Sequence, residues 1–273
     1  ELLDGLAQLC RGEPEGEAAS EALADIHLTL GEYDTASELL RALLGTAVGA
    51  ARARALVDGL RWEASHGFEV TDDMRVAVSA HAALLVLAFD DGLDSYLDVT
   101  SVIVHPSTIV RTGTRYIGGG MYSDGDDPII GEAHHQGPVL VSWDAAAQQA
   151  VEPWRGESVL LHEFAHRLDM LDGISDGTPP IDGDIALDEW VRVCTETLRT
   201  LRRNEEPSVL RQYAATNPSE FFAVATEVLL RRSEGPGSVP SSTSKAICWV
   251  IGTCSEGLRM KLLPQPIANG RNQ

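Results

Sequence analysis

The chain is 273 residues long, enough for one full core and an appendage, and its 44% apolar and 5% aromatic content is that of an ordinary globular protein. Lys and Arg total 21 against 41 Asp and Glu, so the formal net charge is −20. Such a surface repels phosphate backbones and anionic lipid, which argues against direct nucleic-acid or membrane binding and favours a cationic partner or a divalent metal.

In chain order, residues 18–45 carry helical periodicity on both sides of Gly31-Glu32-Tyr33-Asp34 and predict an antiparallel helical hairpin. A single unit of this kind resembles one tetratricopeptide repeat, and no second copy follows. A further helix is expected over residues 49–62. Thr71 reads as the N-cap of a helix over 72–89, acidic in its first turn and apolar nearly all round. Its apolar run of 14 residues, 76–89, includes His81 and suits a buried core helix, being too short to span a bilayer. "SVIVH", "RYIGGGMYS" and "PVLVSW" are short β-branched or aromatic stretches between Gly, Pro and Asp, and predict strands of a small sheet. Helices follow at 158–172, 186–201 and 218–232, and residues 233–245 read as a Ser/Gly/Pro linker before a loose tail.

The four cysteines, Cys10, Cys194, Cys248 and Cys254, are scattered and form no CxxC pair. They read as reduced thiols in preference to a Cys248–Cys254 disulfide. Neither a basic n-region nor a long apolar segment opens the chain, so no signal peptide and a cytoplasmic location are expected.

The chemistry centres on His162-Glu163-Phe164-Ala165-His166. Helical positions i and i+4 share a face, so both imidazoles can reach one ion in near-tetrahedral geometry. Glu163 sits beside the first histidine, where it can take a proton from a metal-activated water without binding the metal itself. Leu160, Leu161, Phe164, Ala165 and Leu168 cover the rest of the helix and bury it. The competing reading is a pair of helical histidines hydrogen-bonded to backbone or carboxylates. A second histidine-bearing stretch of the HExxHxxGxxH type is excluded, because Asp169 and Asp172 occupy the Gly and His positions. A third ligand must then be a distant carboxylate, and residues 213–230 offer Glu220 and Glu227. Asn217, Pro218 and Glu220 equally well form a helix-capping arrangement, and Glu227 equally well faces solvent, so spacing leaves both open. Asp169, one turn past His166, is either a carboxylate orienting an imidazole or a surface charge. His134 and His135 precede the strand at 138–143 near the expected cleft mouth. The Asp-rich loop 172–184 lacks calcium-loop spacing and reads as a solvated loop beside the site. His27, His66, His81 and His105 read as structural.

"HEFAHRLDMLDG", "DGTPP", "GPVLVSW" and "YAATNPSEFFAVATE" together resemble the Mlc titration factor A family of bacterial zinc peptidases, whose catalytic core is similar to that of anthrax lethal factor. The resemblance covers residues 60–232 and implies an α+β, mainly helical zincin-like core with a small mixed or antiparallel sheet. It implies three regions: an N-terminal helical region over 1–66, the catalytic domain over 67–232, and a linker and tail over 233–273. By position it implies one zinc ion on His162, His166 and Glu220, Glu163 as general base and Tyr213 as oxyanion stabiliser. Glu227 and Asp169 become candidates for support behind the ligands. The strand carrying Val139, Val141 and Trp143 becomes a candidate edge for a peptide substrate. Peptide hydrolysis, aminopeptidase-like on short substrates, is the implied activity, and sequestration of a transcriptional repressor is the alternative. Beyond residue 232 the chain departs from the resemblance, as do residues 1–50.

Overall fold

The computed structural model describes residues 47–231, apart from 66, 88, 90–91, 112–114, 119–120, 124–126, 152–156, 181–183, 204–207 and 209. The predicted hairpin at 18–45 and the linker and tail at 233–273 lie outside the described residues. The architecture is α+β, with six α-helices and a small mixed four-stranded sheet among the described residues.

Helix α1 (Ala47–Gly59) packs along α2 (Asp72–Leu85), and strand β1 (Trp62–Ala64) stands between them in sequence. Thr71 caps α2 as predicted: its hydroxyl accepts the Met74 N–H at 3.3 Å, and Asp72 and Asp73 meet the positive end of the helix dipole. The helix stops at Leu85, four residues short of the expected end. Just beyond it, Arg52 of α1 donates to the carbonyls of Val86, Leu87 and Phe89 and ties the turn that follows the helix to α1. Thus α1 and β1, expected in a separate N-terminal region, are built into the core.

After a 3-10 turn at Gly92–Tyr96 come β2 (Val102–His105), β3 (Ile109–Arg111), β4 (Arg115–Gly118), β5 (Met121–Ser123), β6 (Asp127–Ile129), β7 (Gly131–Ala133) and β8 (Val139–Ser142). The main sheet runs β1-β2-β8-β7, with β1, β2 and β8 parallel and β7 antiparallel to β8. The pairs β3–β6 and β4–β5 form two separate antiparallel ribbons in the excursion between β2 and β8. Along β2 and the first three residues of β8 burial alternates, and Val102, Val104, Val139 and Val141 are all fully buried. Each contributes roughly 1.5–3 kcal/mol by leaving water, so this face fixes the strand register.

Helix α3 (Trp143–Val151) follows β8 directly, then α4 (Val159–Asp169), α5 (Asp184–Arg203) and α6 (Pro218–Arg231), with a 3-10 turn at Gln212–Ala215 leading into the last. Helix α4 is the centre of the molecule and touches α2, α6, β7 and β8. Phe164 meets Tyr96 edge to face at 5.2 Å, and the Tyr96 hydroxyl donates to the Ala82 carbonyl of α2 at 2.9 Å. One turn on, the fully buried Arg167 donates to the His134 carbonyl at 2.6 Å and pairs with Asp98. Trp190 of α5 packs edge to face on Phe222 of α6 at 5.8 Å. The central helix is therefore held from every side before any metal is considered.

Candidate metal centre

Helix α4 starts where Ser158 stops being helical: its φ of −156° and ψ of 103° are extended, and its hydroxyl accepts the Leu161 N–H at 3.3 Å. All eleven residues of α4 are buried, including His162, Glu163, His166, Arg167 and Asp169. A short 3-10 extension, Met170–Asp172, ends at Gly173, whose φ of +91° is left-handed and suits glycine.

Helix α6 begins with the predicted cap, for Asn217 Oδ1 accepts the Glu220 N–H at 2.9 Å. The Glu220 side chain, however, turns to α4. Its Oε2 lies 3.0 Å from His162 Nε2 and 3.5 Å from His166 Nε2, and the two Nε2 atoms are 3.1 Å apart. One residue serves both readings: its N–H is capped by Asn217 and its carboxylate faces the histidines. Among the described residues, His162, His166 and Glu220 are the one group of three or more His, Cys, Asp or Glu side chains whose ligand atoms converge closely enough for a metal.

These separations can be compared with an ion's requirements. Donor atoms about 2.1 Å from a tetrahedral cation lie about 3.4 Å from one another. The observed 3.0, 3.1 and 3.5 Å edges match that triangle. The other ring nitrogens explain which atoms are free to ligate. His162 Nδ1 is 2.7 Å from the Glu227 carboxylate, and His166 Nδ1 is 3.0 Å from Ser219 Oγ, which in turn donates to Asp169 Oδ2 at 2.6 Å. An ionised carboxylate only accepts, and a hydroxyl that donates to Asp169 accepts from His166, so each Nδ1 carries a proton and each Nε2 is left toward the centre. In the metal-free state burial opposes a charge on His162, but hydrogen bonds to Glu220 and Glu227 outweigh it and push its pKa up to about 10. Burial acts to raise the Glu220 carboxyl, but its hydrogen bonds with His162 and His166 hold it well below the usual carboxylate range. His162 would have to give up its Nε2 proton to hold a cation in this negative cluster.

Glu163 is almost completely buried beside the triangle, and burial pushes its carboxyl up to about 7, with His162 and His166 pulling the other way. It lies against Gly131 of β7: a Cβ built on Gly131 would stand 2.3 Å from Glu163 Oε1. Strand β7 approaches the carboxylate this closely only because residue 131 has no side chain. Tyr213 sits on the 3-10 turn, half-exposed, with its ring 6.1 Å from the His162 ring. Burial, and the charge and hydrogen bond of Glu220, raise its pKa, so its hydroxyl keeps a proton to donate.

The other predicted residues divide. Asp169 is buried behind His166 and linked to it through Ser219, rather than being a surface charge. Glu227 is buried behind His162 rather than facing solvent. The strand at Val139 and Val141 is not a sheet edge: β8 is paired on both sides, by β2 and by β7. Trp143 belongs to no strand, since it starts α3. The edge beside α4 is instead β7, a three-residue Gly-Glu-Ala stretch without any β-branched residue. His135 is exposed at the β7–β8 turn, with its Nε2 3.7 Å from where a Gly173 Cβ would stand, whereas His81 bonds the Ala77 carbonyl at 2.7 Å within α2. The loop after α4 is exposed over residues 172–176, as expected, and turns inward at Gly177. Gly177, at φ +78°, lies so close to the Pro218 carbonyl that a Cβ would meet it at 2.2 Å, and its own carbonyl accepts from Trp190. Three contributors had not been predicted: Ser219, which bridges His166 to Asp169, Gly131, and Arg211, which bonds Glu227 through both terminal nitrogens. Ser219 and Arg211 each lie within two positions of a predicted residue, but nothing periodic marks them.

Comparison with known proteins supports a metal-dependent centre. The chain is 30% identical over 172 residues to the uncharacterized protein slr2042 of Synechocystis sp., covering 61% of this chain and 62% of that one. It is 29% identical over 175 residues to Mlc titration factor A of Serratia proteamaculans, 62% of this chain and 64% of the relative. The Yersinia pestis protein of the same name is 29% identical over 140 residues, 49% of this chain and 50% of the relative. The chain thus spans half to two-thirds of the length of these relatives. No helix among the described residues is long and apolar enough to cross a membrane. Residues 47–235, which include every side chain of the centre, match the family described as glucose-regulated metallo-peptidase M90, and the chain belongs to that family.

Proposed function

We propose that the protein is a zinc-dependent peptidase that hydrolyses peptide bonds by general-base activation of water, with short peptides as substrates. The observation that carries this reading is the convergence of His162 Nε2, His166 Nε2 and Glu220 Oε2 with a buried carboxylate, Glu163, beside them. Two imidazoles and one carboxylate form the donor set of a catalytic zinc site, whereas closed structural sites favour thiolates and need no adjacent base. When bound there, zinc supplies Lewis acidity sufficient to bring the pKa of water down to about 7.

The chain's own residues do the rest. Glu163, with a carboxyl poised near neutrality, accepts the proton of the attacking water and returns it to the leaving amine. The Tyr213 hydroxyl, which keeps its proton, donates to the carbonyl oxygen as negative charge develops there. Gly131 leaves the β7 backbone close to Glu163, so an extended substrate lying along β7 brings its carbonyl to the base. Burial of α4 excludes bulk water and strengthens each of these interactions.

The test compares Glu163→Gln with the parent protein on a panel of chromogenic aminoacyl and short peptide substrates, with zinc content measured in both. The amide keeps the shape and the metal but cannot take a proton, so kcat should fall by about 10²–10⁴-fold at unchanged zinc content. Equal rates would show that another group is the base. The relatives named Mlc titration factor A motivate a second reading, sequestration of a repressor. Capture of a repressor by the Glu163→Gln protein, with no hydrolysis by the parent, would favour it.

A further inference from the structure

Glu227 is a heavily bonded carboxylate. It is 1% exposed and accepts four N–H groups: His162 Nδ1 at 2.7 Å, the Ser158 backbone at 2.7 Å, and Arg211 Nη1 and Nη2 at 3.0 and 2.7 Å. The two arginine bonds are the forked pair that fixes a carboxylate in one plane. Arg211 comes from the segment before α6, and two residues on, the same short turn carries Tyr213. The guanidinium carbon lies 5.8 Å from the centre of the Tyr213 ring.

Resting on the zinc-peptidase reading, we propose that Arg211 is a positioning residue that sets two groups of the centre at once: His162, through Glu227, and Tyr213, through its own turn. The argument is geometric. Ser158 and His162 belong to the start of α4, Glu227 to α6, and Arg211 to the turn between α5 and α6. At the Glu227 carboxylate the three segments meet through hydrogen bonds, and it presents a single oxygen, Oε1, to both His162 Nδ1 and Arg211 Nη2. With the fork in place the carboxylate cannot rotate, and the His162 ring is held with Nε2 toward His166 and Glu220. Without the fork, a carboxylate held by Ser158 alone on its other oxygen is free to swing. His162 then loses its orientation, and the turn bearing Tyr213 loses its tie to the ligand helix. His166 has an independent support, the Ser219–Asp169 pair, so one ligand loosens and the other does not.

The experiment measures zinc dissociation constants by chelator competition, together with kcat, KM and melting temperature, for Arg211→Met, Arg211→Lys, Tyr213→Phe and Thr71→Ala. Removing support behind a metal-bound histidine loosens the metal about 10–100-fold, and that is the result expected for Arg211→Met, with a fall in kcat at little changed KM. Arg211→Lys keeps the charge but makes one bond in place of the fork, so its zinc constant should fall between the parent and Arg211→Met. Tyr213→Phe should lower kcat and leave zinc binding at the parent value. Thr71→Ala, a remote cap, should lower the melting temperature and change neither zinc binding nor kcat. If Arg211→Met lowers only the melting temperature, with a zinc constant within twofold of the parent, Arg211 is a structural tie and the proposal falls. Should Arg211→Met not fold, Arg211→Lys decides: a zinc constant equal to the parent's overturns the proposal, and a weaker one supports it. A parent that binds no zinc defeats the peptidase reading itself, a result separable from any ordering among the variants.

Discussion

Replacing Gly131 by alanine adds one methyl group at the place where β7 comes nearest to the proposed base. An ideal Cβ would stand 2.3 Å from Glu163 Oε1 and 2.6 Å from both Cγ and Cδ, against ordinary contact at 3.4–4 Å. To restore contact the carboxylate must retreat by about 1 Å, and its Cγ and Cδ by nearly as much, because the interior is close-packed and α4 cannot shift. Misplacement of a reacting group by about 1 Å costs about 10²-fold, which corresponds to about 2.7 kcal/mol of barrier. None of the three proposed metal ligands lies on β7, so zinc content should not change. Steady-state hydrolysis of a chromogenic peptide by Gly131→Ala, with metal analysis of the same sample, checks this directly. Retention of zinc with kcat within threefold of the parent would refute the claim that Glu163 acts from the position described.

Other outcomes follow from the same geometry. Glu220→Ala removes one of three ligands, so the variant should emerge from gel filtration without stoichiometric zinc, and its melting temperature should no longer rise on adding the metal. For the parent, free zinc at a thousand times its dissociation constant should stabilise the fold by about 4 kcal/mol, read as the loss of that increment when a chelator is added. Phe164→Ala leaves a void beneath the edge-to-face contact with Tyr96 and should cost about 3–5 kcal/mol in denaturant unfolding. Burial pushes the Cys194 thiol up to about 12 from an ordinary 9, so its thiolate population at pH 8 is about a thousandfold lower than that of an unburied thiol. The raised value means that folding disfavours the thiolate. The contribution of Cys194 to stability should therefore be constant below pH 9 and decline as pH rises from 9 toward 12. Peptide mapping after a short iodoacetamide pulse at pH 8 should find Cys194 unmodified in the folded protein and alkylated in urea.

Much of the centre was legible because its signals are local. His162 and His166 are four residues apart on one helix, and periodicity alone places them on one face. Thr71 and Asn217 announce their helices by capping chemistry, and both bond as expected. Glu220 shows the limit of such reasoning: spacing left it between cap and ligand, and resemblance to a family was needed to choose, although its N–H and its carboxylate do separate jobs. What failed depends on pairing between distant segments. The apolar texture of residues 139–142 marks a strand, but whether that strand is an edge depends on Gly131–Ala133, three residues with no β propensity of their own. The strand at Trp62–Ala64 was hidden in the same way at the end of an expected helix, since it exists through its parallel pairing with Val102–Val104. Arg211 is invisible for a related reason, because its meaning comes from a buried carboxylate 16 residues later, across an irregular turn. The turn after Leu85 is tied by Arg52, 34 residues before Val86, a contact that no propensity at the helix terminus reports.

The central claim is that one zinc ion sits in the triangle of His162 Nε2, His166 Nε2 and Glu220 Oε2. Anomalous diffraction recorded on both sides of the zinc absorption edge, from crystals grown with stoichiometric zinc, tests it most directly. A single edge-dependent peak within about 2.0–2.2 Å of all three atoms is the predicted result. A peak elsewhere, or none at this triangle while zinc is bound stoichiometrically, would contradict it.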